Sequence, residues 1–339
     1  MLQYLIILLD NTSTSFCHYT NKSQERRLIP LHVLRAGILW GMKENLTIQF
    51  VYPDYDIPQE YKDVIETIDH SKIVPNNAGD ADVIVINDWR EVQNMTFDTT
   101  KVYVLHISKT DLFEHRNIVK DIFRKVARLN VVITDIETIT ESDFNIYKEC
   151  LEEWSLELKH LYACGSFPQF NLLTDRMMLD KMNNCGAGVT NITLAPNGKL
   201  YICPAIYHDG ECSGKEISLG EVCDKGYSVG NLAEGLDIKN PQLYKLDYAP
   251  LCRICDAYQC KRCVWLNRKM TYEVNMPSHE QCVLSHIERN ASRELLKAVR
   301  QYNAYLSEKD INEINYLDPF DVKKNGNEKE RFNNQKRVI

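Results

Sequence analysis

The chain has 339 residues, of which 44% are hydrophobic and 26% charged, so it can bury one large α/β domain or two smaller ones and is not disordered throughout. Its formal net charge of −7 argues against a general binder of nucleic-acid backbones. No apolar run approaches the roughly 20 residues of a transmembrane helix, so neither nucleic acid nor a membrane is expected as a partner.

The apolar segment at the start, Tyr4–Leu9, predicts a buried first strand. It lacks the basic leading region and the small-residue cleavage site of a signal peptide, and Asp10 interrupts it. Four further strands are predicted along the first half of the chain, at Leu46–Tyr52, Val83–Ile86, Val102–Ile107 and Val131–Ile133.

Helical patterns alternate with these strands. Asp111 and Glu114 have capping-box spacing and predict the start of one helix. The predicted apolar faces are, in chain order, Leu31, Leu34, Ile38 and Met42; the segment Tyr61–Ile68; Ile118, Ile122 and Val126; and Ile146, Cys150, Trp154, Leu158 and Leu161. Such alternation predicts an α/β fold with a parallel sheet, either open and doubly wound or part of a barrel.

The character of the sequence changes near residue 164, where cysteines, glycines and short strands replace helical periodicity. We therefore predict an α/β domain over residues 1–163, a second domain over 164–308, and a tail over 309–339. The tail is expected to be partly disordered, because from Asp321 it is rich in Lys, Arg and Asn and has no apolar period.

The second domain is predicted to contain a β-hairpin and a C-terminal helix. Residues Ile192–Ile202 alternate on both sides of the turn at Gly198. Cys203 ends the second strand and Cys185 precedes the first, so the hairpin brings these two residues together. A helix is predicted after Cys282 from the spacing of Val283, Ile287, Leu295 and Val299.

Seven of the twelve cysteines lie in this domain with the spacing of a metal-cluster scaffold: Cys185, Cys203, Cys252, Cys255, Cys260, Cys263 and Cys282. Iron–sulfur clusters and structural zinc both take four thiolates, and disulfide or redox chemistry is a third use, so spacing leaves the three open. Clustered cysteines in a chain without a signal peptide indicate a cytoplasmic protein, in which thiols stay reduced.

The series C-x12-G-x4-C, then C-x2-C-x4-C-x2-C, then C, over residues 185–282, resembles the SPASM domain. This module is appended to radical SAM enzymes that modify peptides, and two of the spacings here are one residue shorter than its pattern. The resemblance implies one [4Fe–4S] cluster on Cys252, Cys255, Cys260 and Cys282. It implies a second on Cys185, Cys203 and Cys263, whose fourth ligand is open between Cys164, Cys212, Cys223 and no protein ligand at all.

Radical SAM enzymes also carry a CxxxCxxC loop after the first strand of a partial barrel, and its three cysteines hold the cluster that binds S-adenosylmethionine. Here the corresponding loop contains Cys17 alone, and the next cysteine is Cys150. We therefore expect a radical-SAM-like architecture that does not itself cleave S-adenosylmethionine. Cys17 and His18 follow a predicted strand end, where α/β folds place sites, and are candidates for contact with a substrate cysteine. The alternative is a partly buried cysteine and a surface histidine without such a role.

The Leu-Leu-Asp-Asn-Thr-Ser start, the Phe-Cys-His-Tyr loop and the C-terminal module together resemble the CXXX repeat peptide maturase family. The resemblance implies a role in the maturation of a cysteine-rich peptide, without implying the reaction itself. Because the CxxxCxxC motif is missing, our first hypothesis is a maturation protein that binds the precursor and presents it to, or exchanges electrons with, a separate radical SAM enzyme. No catalytic residue is predicted. Two alternatives stay open: an enzyme that acts alone through an open cluster iron, and a zinc-stabilised peptide-binding scaffold without catalytic activity.

Overall fold

The computed structural model describes residues 1–17, 23–76, 79–210, 227–311 and 313. The candidates His18, Cys212 and Cys223 therefore lie outside the described residues, as does most of the predicted tail. Within the described ranges the chain forms eleven β-strands and ten α-helices.

The strands are β1 (Tyr4–Leu8), β2 (Thr47–Val51), β3 (His70–Pro75), β4 (Val83–Ile86), β5 (Val102–Ile107), β6 (Arg128–Ile133), β7 (Gln169–Phe170), β8 (Asn191–Leu194), β9 (Lys199–Tyr201), β10 (Gly230–Asn231) and β11 (Gly235–Leu236). They form one sheet in the order β11-β10-β9-β8-β1-β2-β3-β4-β5-β6-β7. All pairs from β8 through β1 to β7 are parallel, whereas β9, β10 and β11 join in antiparallel fashion at one edge. The predicted α/β class with a parallel sheet is thus confirmed.

The helices are α1 (Leu31–Lys43), α2 (Gln59–Ile65), α3 (Lys109–Glu114), α4 (Asn117–Phe123), α5 (Glu141–Ala163), α6 (Asp175–Met178), α7 (Pro204–Gly210), α8 (Val264–Thr271), α9 (His279–Val299) and α10 (Ala304–Ser307). Across the described ranges, none of them combines the length and apolar character needed to cross a membrane.

Strand β1 lies between two hydrophobic layers, because successive side chains of a strand point to opposite faces. Leu5 and Ile7 belong to the layer that contains Leu34 of α1. Ile6 and Leu8 belong to the larger core on the other face. A strand covered on both faces is typical of a parallel sheet and explains the unbroken apolar run at the start of the chain.

Helix α1 lies close to the sheet because two of its glycines face the strands. A Cβ atom at Gly37 would lie 2.3 Å from Leu194 Cδ2, and one at Gly41 would lie 2.9 Å from Ile48 Cδ1. The two glycines are four residues apart and therefore share one face of the helix. Their missing side chains set the distance between α1 and the central strands.

The predicted hairpin is formed by β8 and β9, which pair in antiparallel register around Gly198. Gly198 has φ of +80°, a conformation that glycine adopts without steric cost. Because β8 also pairs with β1, the hairpin extends the main sheet and holds Cys203, two residues beyond β9, beside it.

Four strands were not predicted from the sequence: β3, β7, β10 and β11, of which β10 and β11 have two residues each. In β3, only Ile73 and Pro75 are buried, so the segment has no apolar run. It is a strand because β2 and β4 pair with its backbone on either side. Strand β7 has two residues and pairs only with β6, which is too short for a periodic signal.

Three helix predictions were wrong in detail. In α1, Met42 of the predicted apolar face is 57% exposed, and the buried face passes through Gly41 instead. The predicted capping box at Asp111 is absent: the Ser108 hydroxyl caps α3 instead, accepting from the Asp111 backbone N–H at 3.1 Å. In α5, Ile146 is 38% exposed, and the buried face passes through Tyr147 instead. The other buried members of the predicted face are Cys150, Trp154 and Leu158.

The longest helices, α5 and α9, pack against each other and join the sheet to the cysteine-rich half. The Tyr147 hydroxyl on α5 donates to Glu288 Oε1 on α9 at 2.6 Å. The apolar residues that predicted a C-terminal helix, Val283, Ile287, Leu295 and Val299, are all buried in α9. This helix also carries Cys282 in its first turn, so its packing on α5 positions a candidate ligand.

We predict that Trp154→Ala lowers the free energy of unfolding by about 3–5 kcal/mol, as expected for removal of a buried aromatic ring. The Trp154 side chain is 0% exposed, meets Phe170 edge to face at 5.7 Å, and donates from Nε1 to the Arg116 carbonyl at 3.0 Å. Urea denaturation measures the change. The control is Leu156→Ala in the same helix, where the side chain is 69% exposed and a change within about 0.5 kcal/mol is expected. Equal losses in the two variants would contradict this packing.

Candidate metal centre

The described residues include ten of the twelve cysteines, and no disulfide joins any of them to another. Eight of these thiols form two sets, and within each set the thiols interact electrostatically with one another. The loop thiols are Cys252, Cys255, Cys260 and Cys282; the core thiols are Cys17, Cys185, Cys203 and Cys263. Among the described residues, no group of three or more His, Cys, Asp or Glu side chains is arranged as the ligand set of a metal ion.

The loop thiols come from the segment before α8 and from the first turn of α9. Burial raises the pKa of Cys252 to about 12, and repulsion from Cys260, Cys255 and Cys282 contributes in the same direction. Burial likewise raises the pKa of Cys260 to about 11, again with a contribution from Cys255. These four thiols therefore lie in one region of the structure.

The backbone of the CxxC segment directs N–H groups at two of these sulfurs. The Ala257 N–H donates to Cys255 Sγ at 3.4 Å, and the Arg262 N–H donates to Cys260 Sγ at 3.4 Å. Hydrogen bonds from amides favour the negatively charged form of sulfur and tune clusters bound to it. This local geometry suits thiolate ligands.

The core thiols lie where the hairpin, the CxxC segment and the loop after β1 meet. The Cys185 N–H donates to the Lys261 carbonyl at 2.7 Å, and Cys263 precedes the first residue of α8. Burial raises the pKa of Cys203 well above its ordinary value, and the charges of Cys17, Cys263 and Cys185 raise it further. The three cysteines predicted for a second cluster therefore lie in one region of the structure, and Cys17 lies there too.

The loop after β1 is buried and folds back onto α7. Asp10, Ser13 and Ser15 are all 0% exposed. The Tyr207 hydroxyl of α7 donates to Asn11 Oδ1 at 2.6 Å. Cys17 therefore does follow the end of β1, as predicted, but the loop returns it to the region beside Cys203.

A buried ion cluster fixes the CxxC segment between its two pairs. Asp256 is 0% exposed, and its Oδ2 accepts from Arg289 Nη2 of α9 at 2.8 Å. Arg176 of α6 lies on the other side, with Nη2 at 3.5 Å from the same oxygen and Nε donating to the Asp256 carbonyl at 2.9 Å. One carboxylate thus links the segment to two helices.

A buried carboxyl group adjoins the loop thiols. Burial raises the pKa of Glu288 to about 7, and hydrogen bonds from Tyr147 and Gln259 partly offset this. Glu288 and Cys260 both line a cavity of about 30 Å³ beneath the ends of β6. A carboxyl with such a pKa can accept or donate a proton near neutral pH.

The remaining described cysteines lie elsewhere. Cys150 is buried on α5 among core residues. Cys164 follows the last residue of α5 and is exposed, with its Sγ 3.9 Å from His160 Nε2. Cys164 is thus not placed with the core thiols, and Cys212, Cys223 and His18 lie outside the described residues.

A pocket of about 360 Å³ that the sequence did not predict lies at the carboxyl ends of β4, β5 and β6. Its walls include Asp88, Trp89, His106, Ser108 and Thr134. The only sequence signal was that polar residues follow each apolar strand. Ligands of parallel α/β sheets bind at these strand ends, so the pocket is a candidate substrate site.

Three solved structures of anSMEcpe, an anaerobic sulfatase-maturating radical SAM enzyme, are similar to this chain. The histidine-tagged enzyme with bound AdoMet has a TM-score of 0.60 and 12% identity, covering 91% of this chain and 98% of that one. The complexes with AdoMet and the Cp18Cys or Kp18Cys peptide each have a TM-score of 0.58 and 12% identity, covering 88% of this chain and 100% or 99% of theirs. No protein-family model matches the chain, and neither does any curated protein. The chain therefore has a radical-SAM-like fold.

We predict that Asp256→Asn lowers the free energy of unfolding by about 3–5 kcal/mol, because it removes the buried negative charge that Arg176 and Arg289 share. Asp237→Asn is the matched control, since the ion pair of Asp237 with Lys239 is exposed and worth less than about 1 kcal/mol. Urea denaturation of both variants in the same metal state tests this. A loss at Asp256 no larger than at Asp237 would refute the anchoring role.

We also predict that burial of His208 makes the fold sensitive to acid. Burial lowers the pKa of His208 from 6.5 to about 3, so below pH 6.5 the unfolded chain binds a proton that the folded chain does not. Stability should fall as the pH drops from 6.5 towards 3, by up to about 1.4 kcal/mol per pH unit from this residue. His208→Gln should flatten the urea-denaturation profile between about pH 7 and pH 5, whereas the exposed control His32→Gln should not. Parallel profiles for the wild type and His208→Gln would contradict the prediction.

Proposed function

We propose that this protein takes part in the maturation of a ribosomally synthesised, cysteine-rich CXXX repeat peptide. It binds the precursor and supports its modification through two [4Fe–4S] clusters, together with a separate enzyme that cleaves S-adenosylmethionine. The observation that carries the proposal is the pair of four-thiol sets on a radical-SAM-like fold whose β1 loop has a single cysteine.

The chemistry of the donor atoms supports iron–sulfur clusters. A [4Fe–4S] cluster takes four cysteine thiolates, and each set contains four sulfurs. The loop thiols would hold one cluster, and Cys185, Cys203 and Cys263 would hold the second, as the SPASM resemblance implies. Structural zinc also accepts four thiolates and is the alternative occupant.

The chain supplies charge compensation between the two sets. Arg262 is 1% exposed, and its guanidinium interacts with Cys185 and Cys263 of the core thiols and with Cys252 and Cys260 of the loop thiols. A buried cation at this position offsets the negative charge of bound thiolates. When bound, the clusters would supply one-electron exchange, and Arg262 would offset negative charge on the thiolates of both sets.

The pocket at the ends of β4, β5 and β6 is our proposed site for the precursor. It opens where parallel sheets bind their ligands, and it presents an indole ring, a carboxylate and hydroxyl groups. Two of the similar anSMEcpe structures contain a bound peptide, which supports a peptide as the ligand class for this fold.

Anaerobic purification followed by iron, acid-labile sulfide and zinc analysis tests the cofactor. We expect about eight irons per chain and little zinc, as two [4Fe–4S] clusters require. Zinc without iron would refute the proposal and favour a zinc-stabilised binding scaffold.

A synthetic peptide with a cysteine at every fourth position tests the substrate, with its serine counterpart as the control. We expect the cysteine peptide to bind more tightly and Trp89→Ala to weaken binding about tenfold, equivalent to about 1.4 kcal/mol. Its mass should change only when the separate S-adenosylmethionine-cleaving enzyme is also present. Equal binding of both peptides, or a mass change with this protein and reductant alone, would contradict the account.

A further inference from the structure

The second proposed cluster lacks one ligand among the cysteines that the SPASM resemblance supplies. Cys185, Cys203 and Cys263 are three sulfurs, whereas a fully ligated [4Fe–4S] cluster takes four. The identity of the fourth group decides whether one iron of this cluster is open to a substrate thiolate. The inference that follows rests on the proposed function, because it presupposes that the cluster binds.

The loop after β1 is built to hold Cys17 in place. The Ser15 hydroxyl donates to Cys17 Sγ at 3.2 Å, and the backbone N–H of Ala205 in α7 donates to the same sulfur. Ala205 lies two residues after Cys203, so this bond ties the sulfur of Cys17 to the segment that carries Cys203. The hydrogen bond between Tyr207 and Asn11 anchors the other part of the loop to the same helix.

Cys17 shares its surroundings with the other core thiols. It packs against the same hydrophobic core as Cys185 and Cys263, in which Cys203 is itself a buried member. Burial raises the pKa of Cys17 to about 11, and the Cys185 charge adds to this effect. Cys203 and Cys263 in turn each interact electrostatically with Cys17.

A half-buried lysine interacts electrostatically with this sulfur. The Lys261 ammonium interacts with the charges of Cys17 and Cys185, and burial lowers the pKa of Lys261. Its own backbone carbonyl accepts from the Cys185 N–H.

We propose that Cys17 is the fourth thiolate ligand of the cluster held by Cys185, Cys203 and Cys263. On binding, the Cys17 thiol releases its proton to solvent and Sγ donates an electron pair to iron, with no change in oxidation state. The loop that follows the first strand thereby supplies a ligand to this cluster. All four irons then carry a cysteine, so none is open to a substrate thiolate.

The other cysteines provide matched controls. Cys164 is exposed at the end of α5. Cys212 and Cys223 are the remaining candidates from the sequence. Alanine substitution of each of the four residues therefore compares the proposed ligand with every alternative.

The test is iron analysis combined with EPR and Mössbauer spectroscopy of the full-length protein after anaerobic purification. We expect Cys17→Ala to lose about one iron per chain and to show an oxidised three-iron signal, since a cluster deprived of one thiolate releases the iron it held. Cys17→Ser should keep all the iron with a shifted reduction potential, because a serine oxygen can replace sulfur as a ligand. Cys164→Ala, Cys212→Ala and Cys223→Ala should match the wild type.

Each other outcome has a separate meaning. Wild-type protein without iron would overturn the proposed function itself. Iron-loaded wild type with an unchanged Cys17→Ala spectrum would overturn only the role of Cys17, as would a three-iron signal in Cys212→Ala or Cys223→Ala. Should Cys17→Ala fail to fold by circular dichroism, Cys17→Ser decides, because a purely structural cysteine would leave the potential of the cluster unchanged.

Discussion

The position of the CxxC segment in the cysteine-rich half of the molecule depends on one buried carboxylate. Asp256 lies between Arg176 and Arg289, and no water competes with these contacts because the carboxylate is fully buried. Removing the Asp256 charge would take a buried counter-charge from two guanidinium groups, which costs several kcal/mol. The consequence reaches α9, where Cys282 and Arg289 are seven residues apart and so share one helix face. The ion cluster that fixes the CxxC segment therefore also sets the distance from that segment to Cys282.

The segment that Asp256 holds in place carries cysteines of both thiol sets, so the two sets lie side by side. Cys260 belongs to one set and Cys263 to the other, and Arg262 between them interacts with sulfurs of both. Arg262 adopts a left-handed conformation with φ of +43°, which is costly for a residue other than glycine and persists only where its surroundings enforce it. Its Nε donates to Asn184 Oδ1 at 2.6 Å, which holds the guanidinium between the sets. A change of charge in one set therefore alters the electrostatic potential at the other set.

The sequence predicted the features that depend on local patterns. The parallel α/β sheet, the hairpin at Gly198 and the helix after Cys282 follow from periodicity and turn chemistry, and all are present. Strand β3 was missed because its pairing is provided by its neighbours and not by its own composition. The approach of Cys17 to Cys203 was missed for a similar reason: it depends on the contact between Asn11 and Tyr207, which are 196 residues apart. The metal itself does not follow from thiol spacing, since zinc and iron–sulfur clusters accept the same ligands.

The most direct test of this account is anomalous X-ray diffraction at the iron absorption edge, from crystals grown without oxygen. The account predicts two separate iron peaks, one among Cys252, Cys255, Cys260 and Cys282, and one among the core thiols with Cys17 Sγ bonded to it. Peaks at the zinc edge alone, or a single iron peak among the loop thiols, would contradict it.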